Sequence, residues 1–85
     1  MGRVHLDLRG ELPETDLNGN KYIMVAKDFM TKYVWIFAIP NKETETIADI
    51  LVSEIYSVFG APQNLVTDNG TEFRNRLNNR LSKLY

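Results

Sequence analysis

The hydrophobic period of this chain first changes at Pro40, and that switch constrains its fold more than any other feature. Before it, Tyr22-Ile23-Met24-Val25-Ala26 and Tyr33-Val34-Trp35-Ile36-Phe37-Ala38-Ile39 are continuous apolar runs that read as strands. Val4-His5-Leu6-Asp7-Leu8 alternates apolar and polar residues and reads as a shorter one. Gly10 and Pro13 end the first strand, and Thr15-Asp16-Leu17-Asn18-Gly19-Asn20 is a turn with Asn18-Gly19 as its strongest signal. A five-residue connection, 28–32, joins the second and third strands, so the three form an antiparallel meander. Continuous apolar runs predict strands buried on both faces of a covered sheet.

After Pro40 the period becomes helical. Ile47, Leu51, Ile55 and Val58, broadened by Ala48, Val52, Tyr56 and Phe59, predict one amphipathic helix over 43–59. Asn41 suits its N-cap, and Glu43, Glu45 and Asp49 favour the positive end of its dipole. Gly60 supplies a left-handed stop and Pro62 forbids resumption. Residues 64–68 form a fourth strand, Asn69-Gly70 turns the chain, and 71–85 reads as a second helix with Leu77, Leu81 and Leu84 on one face. The order is β-β-β-α-β-α, an α/β class. A helical crossover is right-handed, which predicts the sheet order third, second, first, fourth.

Eighty-five residues make one small domain or part of one, near the size where folding alone becomes marginal. No apolar run is long enough to span a membrane, and the first residues lack the apolar core of a signal peptide. Without cysteine there is no disulfide framework and no thiolate metal site, so the reading is not secreted. The net charge of −1 conceals an asymmetry: residues 1–73 carry −5, whereas Arg74, Arg76, Arg80 and Lys83 give 74–85 a charge of +4. That basic segment is either a weak phosphate-binding surface or the solvated face of a helix.

Two acids occupy unusual contexts. Asp7 lies inside an apolar strand and Asp68 ends another at the Asn69-Gly70 turn. Carboxylates there need a compensating cation, and on adjacent strands the two would jointly hold a hard divalent metal. The plainer alternative is that Asp-Asn-Gly is only a turn and Asp7 only faces solvent. His5 reads as a surface or packing residue, and Tyr22, Tyr33, Trp35 and Phe37 read as core rather than as a base-stacking platform.

Three ordered segments resemble the catalytic core of retroviral and retrotransposon integrases, most closely the gypsy type. Val4-His5-Leu6-Asp7-Leu8-Arg9-Gly10-Glu11-Leu12-Pro13 resembles its opening strand, with Glu11 where a Pro is usual. Residues 20–33 resemble its second strand and the Asp-x-Phe-Ser/Thr-Lys turn. Phe59-Gly60-Ala61-Pro62-Gln63-Asn64-Leu65-Val66-Thr67-Asp68-Asn69-Gly70-Thr71-Glu72-Phe73 is similar to its most specific segment. The resemblance implies the N-terminal part of an RNase H-like fold, with 1–85 a partial catalytic core domain. It implies DNA as partner, the nucleus as location, and Asp7 and Asp68 as catalytic ligands of Mg²⁺ or Mn²⁺. Asn69, Gly70 and Glu72 match the rim of that site.

The family's third acid, a Glu about 35 residues beyond the second Asp, completes the metal site. Only 17 residues follow Asp68 here. The expectation is therefore a truncated core, inactive alone: an excised piece, a decayed element or a host-adopted remnant. The alternative function is a non-catalytic interaction module. In that case the open sheet face pairs with a second copy or with another protein, and 71–85 covers the sheet or joins the pairing.

Overall fold

The computed structural model describes residues 2–11, 17 and 19–84. Pro13 and half of the anticipated turn (Thr15, Asp16 and Asn18) lie outside the described residues, as do Met1 and Tyr85. The element order is β1 (Arg3–Arg9), β2 (Tyr22–Asp28), β3 (Val34–Ile39), α1 (Thr44–Ile50), a π-helical stretch (Leu51–Tyr56), α2 (Ser57–Phe59), β4 (Asn64–Thr67) and α3 (Thr71–Leu84). One four-stranded sheet has the order β3-β2-β1-β4. β1 pairs antiparallel with β2, β2 antiparallel with β3, and β4 parallel with β1. The mixed sheet, its order and its crossover agree with the RNase H-like expectation. No helix among the described residues is long and apolar enough to cross a membrane.

Sheet burial departs from the expectation. Along β1, Val4 and Leu6 are buried while His5 is exposed, and along β2, Met24 and Ala26 are buried while Lys27 is exposed. Thus one face carries the core, even where the sequence is apolar on both. Val34 and Ile36 of β3 lie on the other face, with Ile36 66% exposed.

α3 joins α1 on the covered face. Leu77 and Leu81 belong to the same core cluster as Ile47, Ala48, Leu51, Val4 and Met24. The helix is therefore not a second layer on the opposite side. Leu84, expected on its buried face, is exposed.

The helix after Pro40 is not regular. Six residues, Leu51–Tyr56, are π-helical, so their turns are wider than 3.6 residues and the apolar stripe rotates away from its original face. Ser57 Oγ, just past the end of this stretch, donates back to the Ser53 carbonyl at 2.7 Å, a back-bond of the kind that bends helices. Tyr56 is in the core as its place in the stripe predicts, whereas Val58 and Phe59, also expected there, are 69% and 51% exposed. The N-terminus is also shifted: Glu43 is the N-cap, and Asn41 Oδ1 accepts from the Glu43 N–H at 3.0 Å and from Thr46 Oγ1 at 2.8 Å. Gly60 has φ 86° and ψ 164°, a glycine conformation but not the left-handed helical one anticipated.

Burial pushes the Tyr56 hydroxyl up to about 12 from its ordinary 10.0. The folded state then holds this proton more tightly than the unfolded chain, so stability falls as pH rises from about 10 to about 12. The expected loss is at most about 2–3 kcal/mol. Urea midpoints measured on either side of that window should differ, and Tyr56→Phe should remove most of the difference.

Candidate functional site

The parallel pairing of β1 with β4 builds the site. Its last rung is Leu6↔Thr67, both buried on the core face. The next residue on each strand is an aspartate, and alternation turns both Asp7 and Asp68 to the uncovered face, on neighbouring chains about 4.8 Å apart. They line one cavity of about 230 Å³ together with His5, Val25 and Lys27. Thus the structure brings the two sequence-selected acids together, although neither is deeply buried: their side chains are 49% and 91% exposed.

Each carboxylate has a basic neighbour. Arg9 Nε donates to Asp7 Oδ2 at 3.0 Å, and His5 Nε2 lies 3.7 Å from Asp68 Oδ2. His5 and Lys27 belong to the site, which sequence reasoning missed. The signal available was the period of two, since His5, Asp7 and Arg9 share one face of β1.

The loop after β4 holds Asp68 in place. Thr67 Oγ1 donates to Asn69 Oδ1 at 2.8 Å and accepts from the Asn69 N–H at 3.3 Å, closing a tight turn around Asp68. Gly70 has φ 95°, which favours glycine, and its carbonyl accepts from the Arg74 N–H at 3.0 Å to open α3. Asn69, Gly70 and Glu72 are exposed around this end of the sheet.

The chemistry of the donor set suits a hard divalent cation, because carboxylate oxygens are its preferred ligands. The fit is partial. Among the described residues no group of three His, Cys, Asp or Glu side chains gathers closely enough to enclose an ion. Asp7 and Asp68 would be the protein ligands, with Asp7 Oδ1 free of the Arg9 hydrogen bond.

The basic residues of α3 are placed differently. Arg76, Arg80 and Lys83 line a cavity of about 160 Å³ with Thr44, Glu45 and Asn79, in the seam between α1 and α3. Arg80 Nη2 is 3.8 Å from Asp49 Oδ1. The Glu45 carboxyl is held below its usual range chiefly by its own backbone N–H, which outweighs the opposing effect of burial, with lesser help from Thr44, Arg76 and Arg80. Hence Arg76 and Arg80 serve the contact between helices, and Arg74 projects from the exposed side of α3.

Residues 2–84 match the integrase core domain family. The chain is 33% identical over 81 residues to the retrovirus-related Pol polyprotein from transposon 412 of Drosophila melanogaster, covering 95% of this chain and 6% of that protein. It is 34% identical over 68 residues to the Pol polyprotein of a radiation murine leukemia virus, covering 80% of this chain and 12% of the polyprotein. It is 28% identical over 82 residues to gypsy retrotransposon integrase-like protein 1 of Rattus norvegicus, covering 96% of this chain and 15% of that protein. The chain therefore spans only a small part of each of these relatives.

Proposed function

Because this chain belongs to the integrase core domain family, we propose that it is the part of a retroelement integrase core that carries the first two catalytic aspartates. The reaction is polynucleotidyl transfer on DNA, and the location is the nucleus. The observation that supports this most directly is the β1–β4 pairing, which sets Asp7 and Asp68 side by side on the uncovered face.

In this reading Asp7 and Asp68 bind Mg²⁺ or Mn²⁺, which when bound polarises the phosphodiester and lowers the pKa of the attacking hydroxyl or water. Arg9 orients the Asp7 carboxylate through its 3.0 Å hydrogen bond. Lys27 supplies positive charge in the wall of the same cavity, His5 Nε2 stands 3.7 Å from Asp68 Oδ2, and the Thr67–Asn69 turn fixes Asp68. Asn69, Gly70 and Glu72 form the rim. A third carboxylate is required for a closed site, so the 85-residue chain by itself is inactive.

Two measurements test this. Titrated Mn²⁺ should broaden amide resonances around Asp7 and Asp68 with an affinity on the order of millimolar, and Asp68→Asn should abolish that local effect. Broadening that survives in both Asp7→Asn and Asp68→Asn would sink the metal assignment. A strand-transfer assay on linear duplex DNA should give no product; robust product that disappears in Asp68→Asn would overturn the expected inactivity.

A second reading, an interaction module, is favoured by the uncovered sheet face, where Val34 is 42%, Ile36 66% and Val66 36% exposed. Such apolar surface seeks a partner. Sedimentation at micromolar concentration should show self-association, which Ile36→Lys weakens. A monomer at those concentrations counts against this second reading.

A further inference from the structure

The β2–β3 turn carries a surface that the carboxylate site does not use. Tyr33, Trp35 and Phe59 form a ring cluster, with centroids 4.8 Å apart for Tyr33–Trp35, 5.4 Å for Trp35–Phe59 and 6.4 Å for Tyr33–Phe59. The planes are tilted against one another by 43–64° rather than stacked flat. With Asp28, Thr31 and Lys32 these rings line a cavity of about 350 Å³ on the edge strand of the sheet. Tyr33 and Phe59 are more than half exposed, an unusual state for aromatic side chains on a domain this small.

The charges around this surface select its ligand. Asp28 is the only acid in the cavity wall; it is 6% exposed, and its two oxygens accept from the Met30 N–H and from Thr31 Oγ1. It closes the turn and does not offer a free anion to solvent. The accessible charges are cationic. Lys32 lines the cavity, and its Nζ lies 4.5 Å from the centre of the Phe29 ring. Arg3 approaches the same ring, 5.3 Å from its centre. Neither cation has a carboxylate partner among the described residues. Phe29 and Arg3 line an adjoining cavity of about 300 Å³. Aromatic faces interleaved with unpaired cations fit a ligand with flat rings and negative charge.

We propose that this surface binds unpaired nucleotides of a single strand, with bases stacking on Tyr33, Trp35 and Phe59 and phosphates drawn to Lys32 and Arg3. Its rings stand on the other face of the sheet from the carboxylates, since Trp35 pairs with the buried Ala26 whereas Asp7 pairs with Val25 on the uncovered face, and its turn begins at Asp28, which pairs with Val4, three residues before Asp7. Three residues along a strand are about 10 Å. The site thus goes beyond the proposed catalytic reading and needs no metal.

Trp35 is the chain's single tryptophan, so its emission reports on the site directly. Titration with a short oligothymidylate in the presence of EDTA should quench it, and a blunt duplex of equal length should quench it less. Tyr33→Leu and Phe59→Leu, both at exposed positions, should each weaken binding about fivefold or more, the lower end for losing one stacked base. Lys32→Ala should lower the salt slope by about one. Asp68→Asn should quench like the parent chain, which separates this proposal from the metal assignment. Three results overturn it: no quenching by the oligonucleotide, unchanged affinity in both leucine variants while their melting curves stay cooperative, or emission that changes with protein concentration alone, which means a second copy covers the rings.

Discussion

A Leu77→Asp, Leu81→Asp double variant is expected to be unfolded at room temperature. Leu77 is fully buried and Leu81 nearly so, and both belong to the core formed by β1, β2 and the helix beginning at Thr44. Truncating one buried leucine to alanine costs about 2–5 kcal/mol. Aspartate adds the cost of a buried, unpaired carboxylate. The total stability of a domain this size is about 5–10 kcal/mol at most, so two such changes exceed it. Circular dichroism should show loss of the cooperative transition. Leu84→Asp is the matched control: Leu84 is 39% exposed, and its substitution should shift stability by no more than about 0.5 kcal/mol. A double variant that melts like the parent chain would mean that α3 does not cover the sheet.

That contrast between Leu81 and Leu84 shows where the sequence is readable and where it is not. Strand positions and sheet order were legible because hairpin lengths and the handedness of one crossover leave few arrangements. Asp7 and Asp68 were legible as a pair for the same reason: each follows a residue of the last β1–β4 rung. Which face receives α3 was not legible. An amphipathic helix states that it has an apolar side, not which of two apolar sheet faces that side meets. Val34 and Ile36 are as apolar as Trp35, Phe37 and Ile39, with which they alternate, so periodicity alone did not separate the covered face from the open one.

Of the aromatic residues read as core, Tyr22, Trp35 and Phe37 do pack against it, whereas Tyr33 and Phe59 are exposed, for a different reason. Phe59 sits at a position that an ideal helix would turn inward, and the π-helical stretch before it carries it outward to meet Tyr33 and Trp35. A change of helical pitch leaves little trace in composition. His5 and Lys27 were underweighted because each looks ordinary alone. Only the register His5↔Lys27, with Asp7 two residues along and Asp68 on the next strand, makes them one site.

Asp28→Ala should be the most damaging single substitution of a charged residue in the described chain, by about 2–3 kcal/mol. Asp28 is buried at 6% exposure, and its carboxylate accepts from the Met30 N–H at 3.2 Å and from Thr31 Oγ1 at 2.9 Å. Hydrogen bonds to an ionised acceptor are each worth about 1.5–3 kcal/mol. Because Met30 and Thr31 are exposed, their freed donors return to water, which holds the loss to the range given rather than the sum of both bonds. The backbone of Asp28 is tied as well: its N–H donates to the Tyr33 carbonyl at 2.8 Å, and its carbonyl accepts from the Lys32 N–H at 2.8 Å. The side chain therefore stabilises a turn in which Lys32 adopts φ 66°, a conformation costly for a residue with a Cβ. For a domain of this length the loss lowers the melting temperature by about 10–20 °C. Asp28→Asn keeps one acceptor oxygen and should lose less, and Thr31→Val, which removes one donor, should fall between the parent and Asp28→Ala. If Asp28→Ala melts within a few degrees of the parent chain, the turn is held by its backbone bonds alone, and the carboxylate is then free to take a ligand in the aromatic cavity.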